Sequence, residues 1–245
     1  MNRKSTALDA VDIIVLNCDN KGYIEPCLKS ITANTPGRYN LIVVDQGSKD
    51  GSREWLVESK IASHLILNNQ NNGAWEGRNQ GLRVTKYDWV VFLDSDTEIK
   101  DPLWLDKLWD YTLDKESGMV EARVKIWNDS YRFAGFAACM IRRKVFQELG
   151  MFDHHFKIGG DIIFWARFGW LGKWKTYFCD DTDIIHHCGR TINRAGVDQT
   201  KDSPEHQHYR VDLPRYIYSE KFLADTVGVL SRQRHEEEVQ RGWHL

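Results

Sequence analysis

Two acidic side chains follow a strongly apolar segment at a spacing that suits a bound cation. The segment reads VVFLDSDT, from Val90 to Thr97. The carboxylates of Asp94 and Asp96 meet around one hard divalent ion if the chain turns where the strand ends. Such an ion would bind a diphosphate and neutralise the charge that builds on it as a leaving group. The alternative interpretation is a solvated turn, because aspartate is common in turns.

A pair of histidines later in the chain is the second candidate for metal ligation. The stretch is DIIHHCG, with His186 and His187 at its centre. A histidine at a strand end can offer imidazole to a metal. Successive strand residues point to opposite faces, so only one of the two can face a given site. The alternative is a structural role for both rings.

Two polar stretches in the first half could hold a nucleotide. VVDQGSKDG, from Val43 to Gly51, ends an apolar run at Asp45 and opens a helix with a Gly-Ser turn. Such a turn either brings a ligand close to the backbone or simply connects a strand to a capped helix. In NNGAWEGRN, from Asn71 to Asn79, Arg78 could bind a phosphate or a base edge, and Asn79 could fix a loop. An exposed arginine on an ordinary helix is the alternative.

A third acidic residue could supply a general base. FDHHFKIGGDIIFWAR, from Phe152 to Arg167, places Asp161 after two glycines at the start of an apolar helix. This aspartate either caps the helix or acts as a base at the rim of a crevice. Arg167 could pair with an acid or extend along the surface. Three nearby tryptophans are candidates for stacking on sugar rings, or else core residues: Trp165, Trp170 and Trp174.

The elements that must position these residues alternate in the first half. Apolar strand-like runs cover Val11–Leu16, Leu41–Val44, His64–Leu67 and Trp89–Leu93, and helical patterns separate them. This alternation predicts parallel strands joined by helices. Near-continuous apolar strands indicate a sheet covered on both faces, with ligands bound at the carboxyl ends of the strands. The polar stretches described above fall at those ends.

The second half changes rhythm but continues the α/β pattern. Its predicted helices are Pro102–Leu113, Arg143–Leu149, Asp161–Leu171 and Tyr216–Arg232. Its predicted strands are Met119–Ile126, Phe136–Ile141, Trp174–Phe178 and Asp183–His187.

Composition narrows the class of protein. The 245 residues carry a net charge of −2, which gives no bulk basic field for nucleic acid. Five cysteines without a CxxC pair argue against a zinc site or a disulfide framework and favour a reducing compartment. No apolar stretch approaches the roughly 20 residues of a membrane span, so we expect a cytoplasmic protein. Peripheral contact with the inner face of the membrane through the C-terminal tail is compatible with this expectation.

Taken together and in this order, the motifs resemble the family 2 inverting glycosyltransferases of the GT-A fold. The resemblance runs from about Val11 to about Thr191 and includes IIVLNCDN, IVVDQGSKDG, NNGAWEGRNQGL, VVFLDSDTEI, ELGMFDHHFKIGGDIIFWAR and IIHHCG. It implies a three-layer α/β/α sandwich with a mostly parallel central sheet and a Rossmann-like nucleotide-binding half. We expect a GT-A domain over residues 1–195, divided into a nucleotide-binding half (1–97) and an acceptor-binding half (98–195). A C-terminal helical extension would follow over residues 196–245.

The resemblance also assigns roles to residues. Asp161 would be the catalytic base, Asp96 and His186 the metal ligands, and Asp94 and His187 secondary candidates for the metal, which would be Mn²⁺ or Mg²⁺. The donor-binding residues would be Leu16, Asn17, Asp19, Asp45, Gln46, Asn72, Gly73, Arg78, Asp94 and Ser95.

Two departures from the family pattern affect these expectations. The family usually reads Asp-Asp-Gly-Ser after the second strand, whereas this chain has Gln46 at the second position. A glutamine amide can both accept and donate, so UDP stays the favoured nucleotide, with GDP or dTDP as alternatives. The family also commonly has Glu-Asp where this chain has Gly160 and Asp161. The aspartate that aligns with the base is kept.

The expected function is therefore metal-assisted transfer of a sugar from a nucleotide-diphosphate sugar to a hydroxyl, with inversion. The acceptor would be a glycan, a lipid-linked molecule or a protein. Two other classes remain open on the sequence: a nucleotidyltransferase on a similar scaffold, and a non-catalytic module that binds nucleotide sugars or glycans.

Overall fold

The computed structural model describes residues 10–37, 39–126, 129–133, 135–153 and 160–187. The predicted helix Tyr216–Arg232 and the extension over 196–245 lie outside these residues. Within them, no helix has both the length and the apolar character that crossing a membrane would require.

The first half forms the parallel part of one sheet. Its strands are β1 (Val11–Asn17), β2 (Tyr39–Asp45), β3 (His64–Leu67) and β4 (Trp89–Asp94), and its helices are α1 (Lys21–Asn34), α2 (Ser52–Ser59) and α3 (Ala74–Leu82). β2, β1 and β4 lie side by side, with Leu16 opposite Asp94 and Asn17 opposite Asp45. The carboxyl ends of these strands therefore share one edge of the sheet, as the alternation of elements predicts.

The second half extends the sheet with mixed directions. It comprises β5 (Thr97–Ile99), α4 (Trp104–Asp110), β6 (Ser117–Lys125), β7 (Tyr131–Phe133), β8 (Ala138–Arg142), α5 (Arg143–Leu149), α6 (Gly160–Leu171) and β9 (Lys175–His186). The strand order is β3-β2-β1-β4-β8-β6-β9-β5, and β7 pairs with β6. β8 is antiparallel to both β4 and β6, whereas β6 and β9 are parallel, so the complete sheet is mixed.

Apolar side chains cover the sheet on both faces, which gives the three layers that were predicted. One core contains Ile24 and Leu28 from α1 and Trp104 from α4. The other contains Leu82 from α3 and Phe164 from α6, together with a group of mutually contacting aromatic rings. The four cysteines among the described residues, Cys18, Cys27, Cys139 and Cys179, are free thiols.

Several predicted boundaries were wrong. Phe136 and Ala137 belong to a 3-10 helix over Gly135–Ala137, and the strand begins only at Ala138. The segments predicted as two strands, Trp174–Phe178 and Asp183–His187, belong to the single strand β9 except for Trp174 and His187, which flank it. The polar residues between them stay in the sheet through an irregular register opposite β6, where the Thr182 hydroxyl donates to the Arg123 carbonyl at 2.7 Å. The predicted helix Pro102–Leu113 is α4 followed by a 3-10 turn over Tyr111–Leu113.

Candidate functional site

Two aspartates and a histidine meet where β4, β5 and β9 come together. Asp94 ends β4, Asp96 lies in the turn that follows, and His186 ends β9 opposite Thr97 of β5. His186 Nε2 lies 3.3 Å from Asp96 Oδ1 and 3.7 Å from Asp94 Oδ2. One ligand atom from each residue lies within 4.8 Å of the others. Two carboxylates and an imidazole at this separation fit a divalent cation. We refer to these three residues as the acidic cluster.

The neighbouring histidine has a different environment. His187 Nε2 lies 2.9 Å from Glu98 Oε1, and its ring packs at 5.1 Å from that of Tyr23. The His187 backbone N–H donates to the Asp96 carbonyl at 2.9 Å, which fixes the end of β9 beside the acidic turn. The two histidine rings therefore face different neighbours, as expected for successive strand residues, and His186 is the one in the acidic cluster.

The charges of the acidic cluster perturb one another. Burial raises the pKa of Asp94, and the nearby charges of Arg78 and His186 oppose this rise. Burial lowers the pKa of His186, but the hydrogen bond to Asp96 and the charges of both aspartates outweigh burial, so the pKa is raised. Two closely spaced carboxylates that raise the pKa of a neighbouring histidine favour positive charge at this point, as a cation site requires.

Arg78 links the acidic cluster to α3. Its Nη2 lies 2.9 Å from Asp94 Oδ1, and the side chain of Arg78 is buried. The guanidinium carbon lies 4.9 Å from the centre of the Trp75 ring, one helical turn earlier. An arginine held by a carboxylate and an aromatic ring is well placed to bind an anionic group beside the cluster.

Asp161 lies half-buried in the first turn of α6. Burial raises its pKa, and this rise is opposed by the backbone N–H of Ile162 and by the charge of Arg78. Arg78 therefore acts electrostatically on both Asp161 and Asp94, so the base candidate and the acidic cluster lie near the same guanidinium. A carboxylate with a raised pKa suits general base catalysis.

Asn17 and Asp45 form a buried network at the ends of β1 and β2. The Asn17 amide nitrogen lies 2.8 Å from Asp45 Oδ2, 3.0 Å from Ser48 Oγ and 2.8 Å from Ser52 Oγ. Asp45 Oδ1 accepts from the Ser48 backbone N–H at 3.1 Å. Both residues are fully buried. They therefore fix the strand ends and the Gly-Ser turn at which the nucleoside pocket is predicted.

Asp19 and Ser95 brace the neighbouring loops. Asp19 has a positive φ of 46°, and its carboxylate accepts from the Lys49 backbone N–H at 2.5 Å. Ser95 is buried, and its hydroxyl accepts from the Asn20 side chain at 2.9 Å. The turn after β1 is thus tied to the acidic turn after β4.

Gln46 holds the loop that precedes α3. Its Oε1 accepts from the Asn68 side chain at 3.2 Å and from the Asn72 backbone at 3.1 Å. Its Nε2 donates to the Gly73 carbonyl at 3.2 Å. The oxygen and the nitrogen of the Gln46 side-chain amide therefore both hydrogen-bond the loop.

Leu16, predicted to line the pocket, packs beside Gly77, where a β-carbon would lie 3.2 Å from Leu16 Cδ2.

Asn79 joins the two halves of the molecule. Its side chain donates to the Phe152 carbonyl at 2.9 Å and accepts from the Phe152 N–H at 3.0 Å. This double hydrogen bond ties α3 to the loop that follows α5, which is the loop-fixing role predicted for Asn79.

The other candidates named from the sequence are three tryptophans and Arg167, and those with described side chains pack or pair within the fold. Trp174 is buried, and its indole nitrogen donates to Glu148 at 2.8 Å, which indicates a structural role. Trp165 is partly buried against Phe136 and Phe164. Arg167 is buried and pairs with Asp153 at 3.7 Å rather than extending along the surface. The side chain of Trp170 lies outside the described residues.

Sequence reasoning missed two residues near the acidic cluster. Trp75 is the ring beneath Arg78, and a tryptophan within an ordinary helical pattern gives no signal of that position. Arg132 on β7 lowers the pKa of His186 through its charge. It is paired with Val124 of β6, and Val124 is paired with Ile184 of β9, which brings a cation toward the end of β9. Only the strand pairing reveals this proximity.

Comparison with known proteins gives consistent matches. A family model described as "Glycosyl transferase family 2" matches residues 12–188. An uncharacterized glycosyltransferase of Haemophilus influenzae is 37% identical over 89 residues, covering 35% of this chain and 29% of that protein. Glycosyltransferase AglE of Haloferax volcanii is 23% identical over 190 residues, covering 66% of this chain and 62% of that protein. The matches thus span less than two thirds of either relative.

Solved structures with the same fold extend over nearly the whole chain. TarS 1-349 of S. aureus in complex with UDP-GlcNAc has a TM-score of 0.68 at 15% identity, covering 93% of this chain and 72% of TarS. The mannosyltransferase PcManGT of Pyrobaculum calidifontis, in complex with GDP-Man and Mn²⁺, has a TM-score of 0.59 at 17% identity, covering 91% and 74%. These similarities establish the GT-A fold. Because the family model covers most of the sequence, the chain belongs to glycosyl transferase family 2.

Proposed function

We propose that this protein transfers a sugar from a nucleotide-diphosphate sugar to an acceptor hydroxyl, with inversion at the anomeric carbon. The observation that carries the proposal is the convergence of Asp94, Asp96 and His186 at the carboxyl edge of the sheet. The charge of Arg78 acts on both this cluster and Asp161. The shared influence of Arg78 supports a leaving-group site and a base close to one another, which an inverting displacement would use.

The acidic cluster would hold Mn²⁺ or Mg²⁺ through Asp96, His186 and the oxygen of Asp94 that does not bind Arg78. The fit rests on three ligand atoms within 4.8 Å, contributed by two carboxylates and an imidazole. When bound, the cation would neutralise charge on the departing diphosphate. PcManGT, a structural neighbour, was solved with GDP-Man and Mn²⁺, which supports the metal and the donor class.

The donor would lie over the network at the ends of β1 and β2. Asn17 and Asp45 would shape the nucleoside pocket from below, with Asp19, Ser95 and Leu16 at its borders. We propose that Gln46 contributes by holding Asn72 and Gly73 in position, since both ends of its amide bond that loop. UDP is the favoured nucleotide, supported by the UDP-GlcNAc complex of TarS, and GDP and dTDP are the alternatives.

Asp161 would accept the proton of the attacking hydroxyl. The oxygen attacks the anomeric carbon from the face opposite the diphosphate, so the carbon–oxygen bond to the diphosphate breaks and the configuration inverts. The burial that raises the pKa of Asp161 brings the carboxylate closer to the pH at which it must act. The acceptor would be a hydroxyl of a glycan, a lipid-linked molecule or a protein, and residues 98–195 would bind it.

A melting-temperature panel of UDP-, GDP- and dTDP-sugars, each with Mn²⁺ and with a chelator, tests the donor class. Ligands that bind the folded state raise the melting temperature by mass action. We expect stabilisation by at least one nucleotide sugar, dependent on the metal, followed by slow release of the sugar with inverted configuration, read by NMR. Pyrophosphate release from a nucleoside triphosphate would instead indicate a nucleotidyltransferase. Metal-dependent binding without release or transfer would indicate a binding module.

A further inference from the structure

Trp75 carries a buried hydrogen-bond donor that the protein leaves unused. The residue is 8% exposed, and its indole Nε1 is covered and has no hydrogen-bond partner among the described residues. Two other buried tryptophans are satisfied: Trp104 Nε1 donates to Thr35 Oγ1 at 3.2 Å, and Trp174 Nε1 donates to Glu148 Oε2 at 2.8 Å. Buried indole N–H groups normally have a partner, so an orphaned one points to an absent acceptor.

The position of the Trp75 ring identifies what could supply that acceptor. Arg78 lies 4.9 Å above the ring and bonds Asp94 at 2.9 Å. The ring also contacts Gly160, the residue before Asp161. A β-carbon on Gly160 would come 2.7 Å from Cγ and Cδ1 of the indole. These atoms belong to the five-membered ring that contains Nε1. The ring that carries the unused donor therefore contacts both the arginine bonded to Asp94 and the residue before the proposed base, and it also packs at 5.5 Å from the Phe152 ring.

Gly160 explains how the indole reaches this place. At 2.7 Å a β-carbon would overlap the ring, so any larger residue at position 160 would displace Trp75. The glutamate that commonly precedes the base in similar sequences has no room here. This chain thus has an indole ring packed against position 160, where similar sequences commonly carry a glutamate.

We propose that the Trp75 indole N–H donates a hydrogen bond to a hydroxyl oxygen of the transferred sugar. The proposal rests on the function proposed above, in which that sugar lies between the diphosphate and Asp161. Trp75 is in this account a sugar-binding residue. It contributes to the choice of donor sugar and not to binding of the nucleotide.

The Trp75→Phe substitution tests the contact, because it removes the N–H and keeps an aromatic ring beneath Arg78. Affinities for UDP-GlcNAc and for UDP are measured by calorimetry with Mg²⁺, and for GDP-mannose and GDP as a second pair. One hydrogen bond corresponds to a net effect of about 3- to 10-fold in affinity. We expect W75F to lose this factor for the nucleotide sugar that the wild type binds and to keep UDP or GDP affinity within about twofold. Trp104→Phe, which loses a satisfied indole in the opposite core, is the matched control and should leave both affinities unchanged.

The outcomes separate this inference from the proposed function. If the wild type binds none of the nucleotide sugars, the proposed function fails. If the wild type binds a nucleotide sugar and W75F binds it equally well, or loses nucleotide and nucleotide-sugar affinity alike, the sugar contact is wrong. An effect confined to the KM of the acceptor would also overturn it.

A second measurement covers the case in which W75F does not fold. The indole ¹⁵N–¹H resonance of Trp75, assigned in the labelled wild type, should move on addition of UDP-GlcNAc with Mg²⁺ and stay in place with UDP. GDP-mannose and GDP are the second pair. An equal response to nucleotide and nucleotide sugar would contradict the proposal.

Discussion

His186 Nε2 lies 3.3 Å from Asp96 Oδ1, whereas the next residue, His187, lies with its Nε2 2.9 Å from Glu98. Two consecutive histidines therefore serve different neighbours, and they form a matched pair for testing the metal site. His186→Ala should abolish most of the gain in UDP affinity that Mn²⁺ gives. Substituting a residue that only hydrogen-bonds a metal ligand typically lowers metal affinity about 10–100-fold. Losing a direct ligand should therefore lower it at least about tenfold. Calorimetric titration of UDP with and without Mn²⁺ measures the effect.

His187→Ala is the control for this titration, because its ring bonds Glu98 and packs on Tyr23 outside the acidic cluster. It should retain the gain in affinity from Mn²⁺. Equal losses in both variants would show that the strand end is needed as a whole and would remove His186 from the proposed ligands.

Asp161→Asn should bind the donor normally and turn over at least about a hundredfold more slowly, because general base catalysis is typically worth about 10²–10⁴-fold. Steady-state transfer rates and donor affinity, measured on the same preparation, separate the two effects. Asp110→Asn, at the exposed end of α4, is the control and should leave the rate unchanged. A wild-type rate in D161N would end the assignment of the base.

The rate should also fall on acidification at a higher pH than an exposed aspartate would give. Asp161 acts as a base only when deprotonated, and burial raises its pKa above the ordinary value of 3.8. The active form is therefore lost as the pH falls through this raised pKa. The measurement is kcat against pH at saturating donor and metal. The residual rate of D161N should lack this acid limb, and an identical limb in both proteins would assign it to another group.

Asn79→Ala should destabilise the fold, because it leaves the N–H and carbonyl of Phe152 without their partners at 3.0 and 2.9 Å. Two buried polar groups left unpaired correspond to a loss of about 2–6 kcal/mol in the free energy of unfolding. Urea denaturation of both proteins gives the difference. Gln80→Ala, which removes a partly buried pair with Asn68 one residue along α3, should cost only about 1 kcal/mol. A smaller loss in N79A than in Q80A would contradict the role of Asn79 in joining the two halves.

The parallel half of the sheet could be read from the sequence because each buried strand is an apolar run that ends in a polar residue. The gathering of Asn17, Asp45 and Asp94 at one edge of the sheet follows from that pattern, whereas the strand order and register come from the structure. β5 was not predicted, because three residues between an acidic turn and a proline carry too little pattern. β9 was divided in two because its central residues, which include Asp180 and Asp181, look like a loop.

The candidate site, like the sheet, could be predicted only in part from the sequence. Asp94, Asp96 and His186 could be named from local motifs, and so could Arg78 and Asp161. The unused indole N–H of Trp75 and its close contact with Gly160 depend on two helices packing together across 85 residues of sequence. No local pattern encodes such a contact.

The central claim is that the acidic cluster holds a divalent cation on the donor diphosphate. A crystal structure grown with Mn²⁺ and the diphosphate nucleotide that the binding panel selects, with anomalous data at a manganese-sensitive wavelength, tests it most directly. We predict an anomalous peak within coordination distance of Asp96 and His186 and of a diphosphate oxygen. A bound nucleotide whose manganese lies away from these residues, or with no manganese at all, would contradict the account.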